Sequence, residues 1–191
     1  MKVLAINGSS RKQSNTQILI DIVLDKMQSE GIQTETVPLA GQIIRGCTAC
    51  RMCQKNKDKQ CVIKNDVVNE LVAKMIEADG IIIGSPVYFA DVTSETKAVI
   101  DRIGYVARAN DNLLKRKVGA AIAVARRTGA MPTLHTINSF FYISGMYSVG
   151  SSYWNMASGK AVGDVNEDTE GIETMKTLGE NMAWILKKIS G

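Results

Sequence analysis

The chain is short of histidine and aromatic residues, and it lacks any long hydrophobic run. His135 is the only histidine in 191 residues. No histidine-based triad can be assembled from it, and without a neighbouring nucleophile it reads as a packing or surface group. Aromatic residues make up 5% of the chain and are not interleaved with basic ones, which speaks against nucleic-acid binding. The longest apolar stretches, such as residues 118–125, fall far short of a membrane span. Met1-Lys2 leads directly into a strand-like run, with no apolar signal segment, so the expectation is a cytoplasmic chain without disulfides. Asp79, Asp91 and Asp101 form no close pair, leaving glycosidase-like acid–base chemistry unsupported. Cysteine is absent everywhere except between Cys47 and Cys61.

What remains is ordinary globular composition, 45% hydrophobic and 22% charged with a net charge of +4. The length predicts one domain over residues 1–191. Basic runs at Lys55, Lys57 and Lys59 and at Lys115, Arg116 and Lys117 read as solvated segments that lend a weak positive field. The nine methionines sit mostly at core spacings of helices.

Short, continuously apolar runs at Val3–Ile6, Gly80–Ser85 and Val118–Ala125 predict strands buried on both faces. Thr34–Leu39 and Met146–Ser152 complete five strands. Helical spacing appears over Thr16–Glu30, Val67–Ala78 with Asp66 as N-cap, Thr93–Ile103, Pro132–Ser144 and Glu170–Ile189. Gly159–Glu170 carries no clear pattern. Alternating strands and helices predict an α/β sandwich whose five-stranded parallel sheet has the flavodoxin-like order 2-1-3-4-5.

In such a sheet ligands bind beyond the carboxyl ends of the strands. The loop after the first strand, Gly8–Thr16, lacks the glycine fingerprint of dinucleotide sites and the GKS/GKT ending of triphosphate loops. Its hydroxyls at Ser9, Ser14 and Thr16, the Asn15 amide and the helix-start N–H groups suit a monophosphate, or else a plain helix cap. After the third strand, Pro86, Val87, Tyr88 and Phe89 offer flat surfaces for a ring, or edge-of-core packing. After the fourth, Arg126, Arg127, Thr128 and Gly129 could bond a ring's polar edge or a nicotinamide nucleotide phosphate, or simply be solvated.

Cys47, Cys50, Cys53 and Cys61 follow the spacing C-x2-C-x2-C-x7-C inside a polar loop at about 46–64. Three readings stand: an iron–sulfur cluster, a zinc ion, or unmetallated thiols.

NGSSRKQSNT, the C-x2-C-x2-C-x7-CVIKND segment, GSPVYFADVTSETKAVIDRIG and GSSYWN together resemble the NADPH-dependent FMN reductase superfamily, and within it the iron–sulfur flavoproteins. The resemblance spans almost the whole chain. It implies FMN on a flavodoxin-like sheet, with Ser9, Ser10, Arg11, Ser14, Asn15 and Thr16 at the phosphate and Pro86, Val87, Tyr88 and Phe89 beside the ring. It also implies a four-cysteine loop between the second strand and the second long helix, holding a 4Fe-4S cluster on Cys47, Cys50, Cys53 and Cys61. The family often has proline at the position of Ser10 and glycine at that of Ser14; both changes leave a phosphate site intact.

The resulting expectation is an FMN oxidoreductase with no catalytic side chain of its own. It would take electrons from NAD(P)H or a ferredoxin-like protein and pass them to a small molecule or protein. A dedicated iron–sulfur/FMN electron carrier and a non-redox scaffold are the alternatives. A homodimer or homotetramer is expected, because a ring at the sheet edge needs cover and residues 150–155 supply aromatic interface material.

Overall fold

The computed structural model describes residues 1–190. Strands β1 (Lys2–Asn7), β2 (Gln33–Pro38), β3 (Gly80–Pro86), β4 (Val118–Ala125) and β5 (Tyr147–Ser148) form a parallel sheet in the order β2-β1-β3-β4-β5. The three central strands carry uninterrupted apolar runs at Val3–Ile6, Gly80–Gly84 and Val118–Ala125, because both of their faces are covered. Val3, Ala5, Ile82 and Ile122 pack on one side, beneath α1 (Asn15–Ser29) and α6 (Thr169–Ser190). Leu4, Ile6, Ile81, Ile83 and Ala121 pack on the other, beneath α3 (Val68–Glu77), α4 (Ser94–Ala109) and α5 (Ala130–Ile143). Period-two alternation thus divides one apolar run between two cores.

The expected fifth strand, Met146–Ser152, is two pieces. The chain pairs with β4 at Tyr147–Ser148, loops out, and pairs again as a sixth strand, β6 (Met156–Ser158). It takes eight residues from Ser148 to Met156 while β4 takes four from Gly119 to Ala123. Asn155 closes the loop: its Nδ2 donates to the Val149 carbonyl (3.2 Å), Ser151 Oγ donates to its Oδ1 (2.6 Å), and its own carbonyl accepts the Ala123 N–H (3.0 Å). Gly150, Ser151 and Ser152 have nothing apolar to bury, so leaving the sheet there costs little.

Other boundaries shift modestly. Helix α4 runs on to Ala109, and α5 begins at Ala130 with Pro132 in its first turn. Asp66 caps α3 from one residue further out, its Oδ1 accepting the Val68 N–H (3.2 Å). The cysteine segment contains a short helix, α2 (Met52–Asn56), and residues 159–170 contain a 3-10 turn, Asp164–Glu167. Among the described residues, no helix is long and apolar enough to cross a membrane.

Candidate functional site

At the sheet's switch point the Gly8 N–H donates to the Gly84 carbonyl (2.7 Å), so the loops after β1 and β3 leave the sheet side by side. Asn7 is buried and organises the first loop. Its Nδ2 donates to Gln17 Oε1 (2.9 Å) and Ser14 Oγ (3.4 Å), and its Oδ1 accepts the Ser9 N–H (3.0 Å). Ser14 caps α1, accepting the Gln17 N–H (3.1 Å), while Ser9 Oγ accepts the Arg11 N–H (3.2 Å). Thr16 Oγ1, in the first turn of α1, is buried without a hydrogen-bond partner. A buried hydroxyl normally finds a partner, and this one belongs to a residue that lines the cavity between these loops.

Ser9, Arg11, Ser14, Asn15 and Thr16 line a cavity of about 190 Å³ with Pro86, Val87 and Tyr88 from the second loop and Arg126 from the third. A fourth segment, which the sequence left without a pattern, adds Gly159, Lys160 and Val162. Asn15 ties it down: its Nδ2 donates to the Ala161 carbonyl (2.7 Å) and its Oδ1 accepts the Gly163 N–H (2.7 Å). Asp164 completes the turn by accepting the Lys160 (3.0 Å) and Ala161 (2.7 Å) N–H groups. The Asn15 side chain therefore braces the wall. The lining holds Arg11, Arg126 and Lys160 and no acidic residue, a charge balance that suits a dianion.

Ser10, Phe89 and Thr128 do not line this cavity. Ser10 Oγ donates to Glu95 Oε2 (3.4 Å) on the outer side. Phe89 and Ala90 both have positive φ (46° and 65°) at the tip of a two-residue turn closed by Tyr88 and Asp91 (2.8 and 3.1 Å). That turn keeps Tyr88 in the cavity wall and leaves Phe89 fully exposed. Non-glycine residues at such φ store strain, as surfaces that meet a ligand or partner often do. Arg127 is exposed; Gly129 has φ 94°, and a Cβ there would stand 3.0 Å from Val87 Cγ1, so the second and third loops pack closely.

The four cysteines are all free, and all line a second cavity of about 90 Å³ between residues 47–63 and α4. A hydrogen bond from the Met52 backbone lowers the Cys50 thiol's pKa, and burial raises that of Cys53. Among the described residues, no three His, Cys, Asp or Glu side chains are gathered tightly enough to hold one metal ion. A single tetrahedral zinc, with bonds of about 2.3 Å to sulfur, would need the loop to close further.

Three side chains that the sequence did not single out pin this loop. Asn69 Oδ1 accepts the Cys61 N–H (2.7 Å) and its Nδ2 donates to the Cys61 (2.9 Å) and Ile63 (3.3 Å) carbonyls. Asn110 Oδ1 accepts the Lys59 N–H (3.1 Å). Arg102 holds both flanks from α4, donating to the Arg45 (3.2 Å) and Ile63 (2.9 Å) carbonyls. Asn69→Ala should cost about 1.5–4.5 kcal/mol locally, since each of its three bonds contributes about 0.5–1.5 kcal/mol. Hydrogen exchange should show the Cys61 amide losing protection while β1 and β3 keep theirs; unchanged exchange at Cys61 would contradict the pinning role.

A groove of about 720 Å³ between α4 and α5 is lined by none of the predicted site residues. His135 lies there, exposed, as a surface residue.

Residues 1–161 match the profile of the NADPH-dependent FMN reductase family. An iron–sulfur flavoprotein of Methanocaldococcus jannaschii is 39% identical, with 99% of each chain covered. An iron–sulfur flavoprotein of Methanosarcina thermophila is 32% identical, over 99% of this chain and 97% of that one. The NAD(P)H:quinone oxidoreductase of Methanothermobacter marburgensis superposes with a TM-score of 0.72 at 13% identity, over 95% of this chain and 98% of that one, a likeness of fold. With a parallel sheet, a hydroxyl-lined cavity at its switch point and a family match over most of its length, the chain belongs to the NADPH-dependent FMN reductase family of flavin oxidoreductases.

Proposed function

We propose that this protein is an FMN oxidoreductase that takes electrons from NAD(P)H or a small ferredoxin-like protein and passes them to a small-molecule or protein acceptor. The observation that carries the FMN site is the unpartnered, buried Thr16 Oγ1 at a helix start, facing a lining with three cations and no acid. Ser9, Ser14 and Thr16 would donate to the phosphate, with Arg11 and Lys160 as counter-charges. Pro86, Val87, Tyr88 and the Arg126–Gly129 loop would flank the ring. The cavity is smaller than the ~300 Å³ typical of a pocket enclosing a whole ligand, which suits the phosphate-bearing end. Bound FMN supplies the electron chemistry, while the side chains bind, orient and exclude water.

The cysteine loop is read as the seat of a 4Fe-4S cluster. Four thiols with no other ligand type share one cavity, and a multi-iron cluster tolerates wider sulfur spacing than a single ion does. The carrier reading gains from Arg45, Arg51, Lys55, Lys57, Lys59 and Lys64, all exposed around those thiols against the single exposed acid Asp58. Such a surface favours a protein donor of opposite charge. Exposed Phe89, Tyr153 and Trp154 support self-association as a dimer or tetramer.

Titration with FMN and with riboflavin tests the central point. Two or more charge-assisted bonds at about 1.5–3 kcal/mol each should favour FMN by about 100-fold or more. Thr16→Val should remove about tenfold or more of that preference and leave riboflavin affinity alone. Equal affinity for the two flavins would reject the site. Anaerobic bleaching of the flavin by NAD(P)H supports the reductase; reduction only by a low-potential protein donor supports the carrier.

A further inference from the structure

Arg102 is the largest side chain buried to this degree in the protein, and a buried cation needs a reason. It projects from the middle of α4 into the wall of the cysteine cavity. A guanidinium has five N–H donors. Here Nη1 serves Asp66 and the Arg45 carbonyl, and Nη2 serves the Ile63 carbonyl. Nε is buried and has no partner. Asp66 does not line the cavity, and its other oxygen accepts the Val68 N–H at the start of α3. A guanidinium keeps its charge in proteins even when buried.

A purely structural pin between two carbonyls and an aspartate would not leave the buried Nε–H without an acceptor in a residue that lines a four-thiol cavity. An unsatisfied buried donor costs about 1–3 kcal/mol, more for a charged group. Four thiolates around a cluster, by contrast, bring net negative charge, and N–H donors near the sulfurs raise a cluster's reduction potential. We propose that Arg102 is the positioning and charge-compensating residue of the cysteine cavity, holding both flanks of the loop and raising the reduction potential of a cluster bound by Cys47, Cys50, Cys53 and Cys61. This rests on the reading of the cysteine loop as a cluster site.

The test uses the full chain, reconstituted without oxygen with iron and sulfide. Arg102→Met alone strands a buried Asp66 and invites unfolding, so the informative variant is Arg102→Met with Asp66→Asn, beside Arg102→Lys. Bound FMN, on a different loop cluster, reports that each variant is folded. Potentiometric titration followed by electron paramagnetic resonance reads the cluster midpoint, and iron analysis reads occupancy. In the double variant the midpoint should move to more negative potential, or iron should be lost while FMN stays. Arg102→Lys, which keeps the charge without the fork, should keep its iron and lie between the two. Equal iron and an equal midpoint in all three proteins overturns the role of Arg102. A wild-type protein that takes up no iron overturns the cluster reading, and this inference with it.

Discussion

Replacing Cys50 by serine should abolish most iron uptake and leave FMN in place. The chain has four cysteines, all four line one cavity, and none stands in reserve elsewhere. Serine matches cysteine in shape but its hydroxyl does not offer a thiolate at neutral pH, and soft ligands are what iron–sulfur clusters require. The wild-type protein, reconstituted anaerobically, should carry about four irons per chain, the content of a cubane. The serine variant should carry a small fraction of that. FMN content should not change, because the cavity proposed for FMN is built from the loops after β1, β3 and β4 and from residues 159–162, and shares no lining residue with the cysteine cavity. Iron and flavin analysis on the same samples checks both halves. Wild-type protein that stays free of iron would make these redox or structural thiols, and the protein a plain flavin reductase.

Gly8→Ala should destabilise the fold and weaken FMN binding together. A Cβ at Gly8 would sit 2.0 Å from Thr96 Oγ1 and 2.8 Å from the Gly84 carbonyl oxygen. Neither neighbour can yield easily. The Gly84 carbonyl already accepts the Gly8 N–H, and the Thr96 hydroxyl lies 2.8 Å from Thr93 Oγ1, which itself donates to the Gly8 carbonyl (2.7 Å). Thr93 is the cap of α4, and its N–H donates to Ser85 Oγ (3.1 Å) at the end of β3. One methyl group therefore presses on the stitch that joins β1, β3 and α4 beneath the phosphate site. Overpacking of this kind costs about 1–3 kcal/mol, and at about 2–4 °C per kcal/mol the melting temperature should drop by several degrees. Affinity for FMN should fall tenfold or more, since the loop that carries Ser9 and Ser14 starts at this residue. A melting temperature within a degree of wild type, with FMN bound as tightly, would contradict the assignment of Gly8.

Much of the architecture was legible because it depends on short-range pattern. Val3–Ile6, Gly80–Gly84 and Val118–Ala125 are apolar without interruption and short, as strands covered on both faces are. Ser14 and Asp66 announce helix starts by the chemistry of their own side chains. The fifth strand was misjudged where pattern is weakest. Tyr147–Ser148 and Met156–Ser158 are too short to show a period, and the loop between them is closed by Asn155 bonding to groups whose positions β4 sets.

For the candidate site, the residue types were readable and the directions of their side chains were not. Ser10 and Ser14 look alike in the sequence, yet one faces Glu95 outside the cavity and the other lines it. Asn15 reads as a phosphate ligand and spends its amide on residues 161 and 163, about 150 positions away along the chain. Lys160, Arg102 and Asn69 carry no local signal at all, because their significance is the company that folding gives them. Sequence alone determined the buried parallel sheet, the loops at its carboxyl edge and the four clustered thiols, since periodicity, caps and spacing are written along the chain. Only the tertiary structure decided which hydroxyls are left without a partner and which cation is buried in the wall of the cysteine cavity, because burial and hydrogen-bond completion depend on segments that meet only once the chain has folded.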